Sequence, residues 1–272
     1  MKAASREALA TSQTTLDSVL YGGDAVADFA RTGLDLFEVV EVLDGDRELR
    51  GALKDPAASA DARKALVNTL FGSKVSDRAL RVLEDVVTHQ WSSARDLVNG
   101  LVNLGRRALL RGAEAQGQLG QVEDELFRLS RILDREGELT QLLTDRTAES
   151  ARKRGLLANV LYGKVTMFTE ALALQTIARP EHNPIDDIAG LASQAAELQG
   201  RSIAYVTSAG ALNDNQQQAL ADKLGKIYGR AMSIHSEVDE SILGGMIIRV
   251  GDEVIDGSTA GKIARMRTAM SK

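Results

Sequence analysis

No cysteine occurs among the 272 residues, which rules out disulfides, thiolate metal centres and cysteine nucleophiles. The absence suits a cytosolic compartment. Proline is scarce: Pro56, Pro180 and Pro184 are the whole set, so helices can run long without interruption. Aromatic residues make up only 4%, and alanine and leucine, both strong helix formers, dominate in their place. Long apolar runs are also missing. The longest, Val165 to Ile177, contains Glu170, Gln175, Thr166, Thr169 and Thr176 and falls short of the roughly 20 residues a membrane helix needs. The opening MKAASREALATSQ lacks the apolar centre of a secretory signal. Any membrane association is therefore expected to run through a partner. A net charge of −5 and few aromatics disfavour nucleic-acid binding.

What the chain has is helical periodicity, and it has it twice. Residues recur at a spacing of 90: Leu36-Phe37 as Leu126-Phe127, Leu43-Asp44 as Leu133-Asp134, Glu48-Leu49 as Glu138-Leu139, Leu53 as Leu143 and Asp55 as Asp145. Asn68, Leu70 and Gly72 align with Asn159, Leu161 and Gly163 if one residue is inserted, and Lys74-Val75 then match Lys164-Val165 with the gap closed. The matched positions are apolar types and helix punctuation, as expected of a duplicated bundle. The spacing predicts helices from about Ser5, a candidate cap, to a stop at Gly22-Gly23, then over 24–43, 47–53, 61–71, 77–89 and 93–111. The helix at 93–111 either closes the first copy or opens the second. Leu9, Leu16, Val19 and Leu20 share one face of the first helix, and that face is either core or a partner groove. The second helix is expected to turn Phe29, Leu36, Phe37 and Val40 inward.

The period changes at Arg201. RSIAYVTS reads as a strand, and Asn213 with Gln216 as a capping box opening a helix with Leu220, Leu224 and Ile227 inward and Gly229 as its stop. Met232, Ile234, Ser236 and Val238 alternate with polar residues, which predicts a half-buried strand with His235 on the wet side. Met246, Ile248 and Val250 line a further strand. Gly251-Asp252 turns the chain into Glu253–Asp256, and a last helix follows Ser258. The expected architecture is mostly α: helical bundles over 1–110 and 111–200, then a small α/β domain over 201–272.

Catalytic chemistry finds no foothold. His89, His182 and His235 are scattered and lack metal-ligand spacing, and no phosphate-binding glycine loop of the G-x-x-x-x-G-K-[ST] form occurs. Gly244-Gly245 joins two strands and so reads as a turn. Asp239-Glu240 and Asp252-Glu253 read as solvated turn carboxylates, and Ser258 as a helix cap. Neither a cofactor nor a metal is expected. Trp91, the single tryptophan, either packs inside its own unit or anchors a partner. Lys262, Arg265, Arg267 and Lys272 in the last helix, with no acid among them, either complement the helix dipole or face an acidic surface.

The densest run of turn and strand signals is VDESILGGMIIRVGDEVIDGS, residues 238–258. With the strand and helix before it, this run resembles the carboxy-terminal domain of the delta subunit of F-type ATP synthases and its mitochondrial relative, the oligomycin-sensitivity-conferring protein. Residues 126–200 resemble that family's helical domain, and residues 1–110 resemble a further copy, which exceeds the usual length. The resemblance implies a non-catalytic stator subunit of the proton-translocating synthase, peripheral on the cytoplasmic face of the cell membrane. Its partners would be the alpha-subunit amino termini, held by residues 1–110, and the b subunit, met by residues 200–272. The second copy would be a spacer or an extra stalk contact. Partner-contact candidates are Leu9, Leu16, Val19, Leu20 and Trp91. A generic helical-repeat adaptor explains the duplication but not the hairpin, and an enzyme would need a ligand pocket to which no motif points.

Overall fold

The structure, a computed structural model, describes residues 1–21, 26–145, 147–251 and 253–270. The expected stop at Gly22-Gly23, Asp24 at the next helix start, Asp252 of the turn and Lys272 lie outside them. Eleven helices come first among the described residues: α1 (Ala3–Tyr21), α2 (Val26–Gly45), α3 (Arg47–Lys54), α4 (Ala60–Phe71), α5 (Asp77–Val86), α6 (Ala94–Ala115), α7 (Leu119–Arg135), α8 (Gly137–Thr144), α9 (Ser150–Leu161), α10 (Met167–Ala178) and α11 (Pro184–Leu198). Then come β1 (Arg201–Ser208), α12 (Asp214–Tyr228), β2 (Ala231–Val238), β3 (Met246–Val250), β4 (Glu253–Asp256) and α13 (Thr259–Met270). The mostly helical class with a small terminal α/β domain is therefore observed. Packing divides the chain into two units, Met1–Val122 with Asp145–Pro180 and Glu123–Thr144 with Glu181–Lys272.

The duplication holds at the level of caps and burial. Ser76 and Thr166 occupy equivalent sites and cap α5 and α10, each accepting from the backbone N–H three residues on. Ser93 and Asn183 do the same for α6 and α11. Leu36 and Leu126, Leu43 and Leu133, and Leu53 and Leu143 are buried in pairs. The inserted residue inferred between 68 and 163 is not there. α4 and α9 start and end in register, and Val67 with Leu157 and Phe71 with Leu161 are the buried pairs. None of the Asn, Leu and Gly identities one position off is buried in both copies: Leu161 is buried, but its match Leu70 is only half-buried.

The first unit is organised around α6, which packs on α1, α2, α3 and α10. Its Val98, Val102, Arg106 and Leu110 are buried at sites equivalent to Ala8, Ser12, Leu16 and Leu20 of α1. One helix thus closes the first copy and opens the second. The α2–α6 crossing is tight because glycine faces glycine. A Cβ on Gly33 would lie 2.9 Å from the Gly105 carbonyl oxygen and 2.9 Å from Leu109 Cγ, and one on Gly105 would lie 3.1 Å from the Gly33 oxygen. The α2 face behaves as the periodicity indicates, with Phe29, Leu36 and Val40 buried and Phe37 at the margin. α5 stops at Val86, three residues before the expected end, because Thr88 and His89 bond back in a turn.

In the second unit the sheet order is β2-β1-β3-β4, with β1 parallel to β2 and antiparallel to β3, and β3 antiparallel to β4. α12 covers one face. It has the expected Asn213–Gln216 capping box and ends at Gly229, whose φ of 67° is left-handed. Its buried stripe is Leu220, Ala221, Leu224 and Tyr228, whereas Ile227 is 68% exposed. At about 100° per residue, positions 220, 224, 228 and 221 cover one arc of about 100°, and 227 falls outside it on the Leu220 side.

Gly33→Ala is expected to lower stability by up to about 2 kcal/mol. Overpacking against backbone costs about 1–3 kcal/mol, and better helix propensity returns about 1 kcal/mol. Urea unfolding reads the difference, and an unchanged midpoint would show that α2 and α6 separate at no cost.

Candidate partner-binding surfaces

Helix α1 presents its stripe of Ser5, Ala8, Ser12, Leu16 and Leu20 to α5 and α6. Leu16 and Leu20 are fully buried, while Leu9 and Val19 flank the stripe, half-buried against the same core. Ser5 is not the cap read from the sequence. It lies inside the helix, donates to Asp96 Oδ2 at 2.7 Å and accepts from the Ser92 N–H at 2.9 Å. Ser12 and Thr15 donate to Asp85 at 2.8 and 3.1 Å. Asp17 takes Arg107 Nε at 2.9 Å and Arg111 Nη2 at 2.8 Å. Burial pushes the Asp17 carboxyl up, but those two guanidiniums outweigh it and hold it below the ordinary value. Trp91 is 4% exposed, donates its indole N–H to the Val86 carbonyl at 2.9 Å and lies against Gly100. The hydroxyl half of the α1 stripe is invisible to a search for apolar periodicity.

The Gly-rich hairpin positions the last helix. Leu243, Gly244 and Gly245 adopt φ of 62°, 144° and 76°. At Gly245 a Cβ would strike the Gly257 carbonyl, so only glycine fits. The Gly244 carbonyl accepts from the Thr259 N–H at 2.9 Å, and Gly257 donates to the Met246 carbonyl at 3.0 Å. Asp256 accepts from the Ser258 N–H at 2.9 Å and its hydroxyl at 2.6 Å, bonds that lower the Asp256 pKa. Ser258 in turn caps α13 by accepting from the Gly261 N–H at 2.9 Å. The Asp-Gly-Ser sequence is therefore a joint between β4 and α13. Beside it lie exposed apolar side chains: Val254 at 58% and Ile255 at 38% on β4, Ile263 at 39% and Met266 at 66% on α13. The signal for this surface was an apolar pair in a short edge strand followed by Ile and Met three apart on a helix.

The other face of the sheet is not wet. His235, read from the sequence as a surface residue, is 4% exposed. Its Nε2–H donates to Glu123 Oε1 at 2.9 Å, and Phe127 of α7 stacks on it with ring centroids 4.2 Å apart. Alternation along β2 fails as a burial guide because both faces are covered, one by α12 and one by α7. Gln199 donates to the other Glu123 oxygen at 3.2 Å. Burial pushes the Glu123 carboxyl up, but hydrogen bonds from His235 and Ser233 and the charges of His235 and Arg201 outweigh it, so its pKa lies below the ordinary 4.5. Among the described residues no group of three or more His, Asp or Glu side chains is placed to hold a metal ion. No described helix is long and apolar enough to cross a membrane.

The model of the ATP synthase delta (OSCP) subunit family matches residues 107–270. The ATP synthase subunit delta of Corynebacterium aurimucosum is 72% identical, with all of both chains covered. The chain belongs to the ATP synthase delta (OSCP) subunit family. The proteins of the same name from Corynebacterium efficiens, 65% identical over all of this chain and 99% of the relative, and from Corynebacterium diphtheriae, 63% identical over all of both chains, extend the likeness through the first 106 residues as well. Membership gives the chain a peripheral-stalk role as a structural subunit of the synthase. The extra helical copy is thus part of the subunit in these relatives, which match it along its whole length.

Glu123→Gln is expected to destabilise the second unit by about 1.5–3 kcal/mol at neutral pH, the usual worth of hydrogen bonds to a charged group, because the neutral amide replaces the carboxylate that His235 and Gln199 bond. Because the folded pKa of Glu123 is depressed, the contribution is complete above the ordinary 4.5 and is lost as pH falls through the folded value. Urea titrations of both proteins along pH should therefore converge in acid, and a gap independent of pH would assign the loss to packing.

Proposed function

We propose that this chain is a non-catalytic joint of the stator. Its first helical copy holds the amino termini of the alpha subunits, its α/β domain holds the b subunit, and together they keep the catalytic head from turning with the rotor. In this reading residues 1–110 grip the head, residues 111–200 act as a spacer or an extra stalk contact, and residues 201–272 form the stalk end, on the cytoplasmic face of the membrane. No cofactor or nucleic acid takes part. The observation that carries the proposal is the set of exposed apolar side chains on β4 and α13, Val254, Ile255, Ile263 and Met266, on either side of the Asp256–Ser258 joint and within the part matched by the family model. Half-exposed Leu9 and Val19 are the only members of the α1 face with surface left for an alpha-subunit helix. The burial of Leu16, Leu20 and Trp91 gives those three a supporting role behind it. A generic helical adaptor is the alternative, and the family match along the chain disfavours it.

The chemistry suits a static load. A joint under torque needs slow dissociation. Apolar anchors supply it, each worth about 1.5–3 kcal/mol when fully buried, less the ordering costs of association. Two grips on one chain raise the effective concentration of each.

Val254→Asp and Met266→Asp change side chains that are already exposed, so the fold should survive with an unchanged circular dichroism melt. Binding to the purified b-subunit soluble domain, measured by titration calorimetry, should weaken by about tenfold or more for the pair, equal to roughly 1.4 kcal/mol. Full affinity in a folded double variant would place the stalk contact elsewhere. Deleting residues 1–21 is a poor test of the head contact, since it removes Leu16 and Leu20 from the core.

A further inference from the structure

The second helix of each copy carries one stripe in two versions. On α2 the residues one turn apart are Gly33, Phe37 and Glu41, and the spacing of 90 puts Glu123, Phe127 and Arg131 in their places on α7. The central phenylalanine is shared, and both flanking residues differ. Beside the stripe, exposed Glu38 and exposed Arg128 also stand at one repeat position with opposite charge.

Each stripe is covered by a different body. In the first unit α10 packs on α2. Arg154 of α9 reaches Glu41 at 2.6 Å, and Arg179, just past α10, reaches Asp44 at 2.7 Å. In the second unit the sheet lies along α7. Phe127 stacks on His235, and its ring centroid is 5.9 Å from that of Tyr205 on β1. Glu123 holds His235 at 2.9 Å, and Arg131 approaches Glu237 Oε2 of β2 at 3.5 Å. Thr207 donates to the other oxygen of Glu237 at 3.1 Å and so fixes its place. Asp134, on the same helix as Arg131, lies 3.4 Å from it.

Apolar contact with the shared phenylalanine does not choose between these covers. The flanking residues do. The sheet laid on α2 would bring Glu237 towards Glu41 and leave His235 opposite Gly33, with no carboxylate to bond. The α9–α10 pair laid on α7 would bring Arg154 towards Arg131. Like charges disfavour both exchanges, and a buried polar group stripped of its partner is costly as well.

We propose that the residues at repeat positions 33/123 and 41/131 form a docking code within the chain. Glycine and glutamate on α2 admit the α9–α10 pair, and glutamate and arginine on α7 admit the sheet of the α/β domain. A duplicated chain needs such a device, because the repeat offers two similar seats to whatever follows it, and misassembly between units is the usual failure of repeat proteins. The code acts inside the chain, whichever synthase partners the chain holds.

Because the chain has no cysteine, a single introduced thiol can report on each seat. Tyr205→Cys places one on the sheet beside Phe127, and Ala171→Cys places one on α10 beside α2, each in the full chain. The rate of labelling by iodoacetamide is measured in three backgrounds. Glu41→Gln with Arg131→Gln removes both ion pairs. Glu41→Arg with Arg131→Glu sets like charges in both seats. Adding Arg154→Glu and Glu237→Arg to that variant restores opposite charges with every sign inverted. An exposed ion pair contributes little, so the neutral background should label at most about fivefold faster than the parent. The like-charged background should label about fivefold faster again at both thiols, and the quadruple variant about fivefold slower than the like-charged one. That recovery separates a pairing code from any local effect of Glu41 or Arg131 on its own helix. A like-charged background no faster than the neutral one, or a quadruple variant as fast as the like-charged one, would overturn the proposal. If like charge unfolds the chain outright, the quadruple variant decides alone: return of the parent's melting temperature supports the code, and failure to return overturns it.

Discussion

Helix α6 has to satisfy two helical copies with one cylinder of side chains. It does so by being buried along nearly its whole length and by using different residues for different neighbours. Glycine at 105 lets α2 approach until backbone meets backbone. Arg106, buried where the other copy has Leu16, turns instead to α10, where Nε donates to Gln175 at 2.9 Å. Gln175 is the counterpart of Asp85, which accepts from Ser12 and Thr15 of α1. The first helix of each copy is therefore pinned to the fifth by a polar contact at the same place, made by different chemistry. Buried polar pairs of this kind are costly if broken, and they fix which neighbour a helix accepts more than they add net stability.

The second unit meets a similar constraint with a sheet of four strands. Its two faces are closed by two different means, an apolar stripe on α12 and the Phe127–His235–Glu123 cluster from α7. A small domain has little area to bury, so covering both faces matters to its stability. The strand that remains least covered is β4, all of whose residues are exposed. Edge strands with apolar side chains invite pairing with another chain, and here the neighbouring α13 carries more of the same. Its Lys262, Arg265 and Arg267 place charge beside that surface, though Arg265 is already engaged with Asp256 at 3.3 Å.

Together these features suit a subunit that transmits force. What the chain offers is well-packed helical repeat, joined to a domain that holds an apolar helix and strand outward. Duplicating the bundle around a shared helix adds a second set of outward faces without adding a loose linker, because each new helix packs on one already placed. Positions 167, 171 and 174 of α10 are apolar where 77, 81 and 84 of α5 are charged, while the buried positions stay apolar in both helices.

The helical periodicity, the caps of α12 and α13 and the sequence order of the terminal strands were legible in the sequence, since each depends on local periodicity or on one residue's backbone preference, whereas Ser5 was not the cap it resembled. Asn213, Gly229 and Ser258 acted where their chemistry placed them. Partner surfaces were not legible in this way. Leu16, Leu20 and Trp91 look the same on paper whether they face a core or a guest, and only the arrival of α5 and α6 decided for the core. His235 looked wet because alternation reports one covered face, and α7, more than a hundred residues earlier, covered the other. The sequence by itself determined which segments would be helix or strand, because those choices are settled within a few residues. The tertiary structure alone decided which faces are spare, because exposure depends on every other segment of the chain.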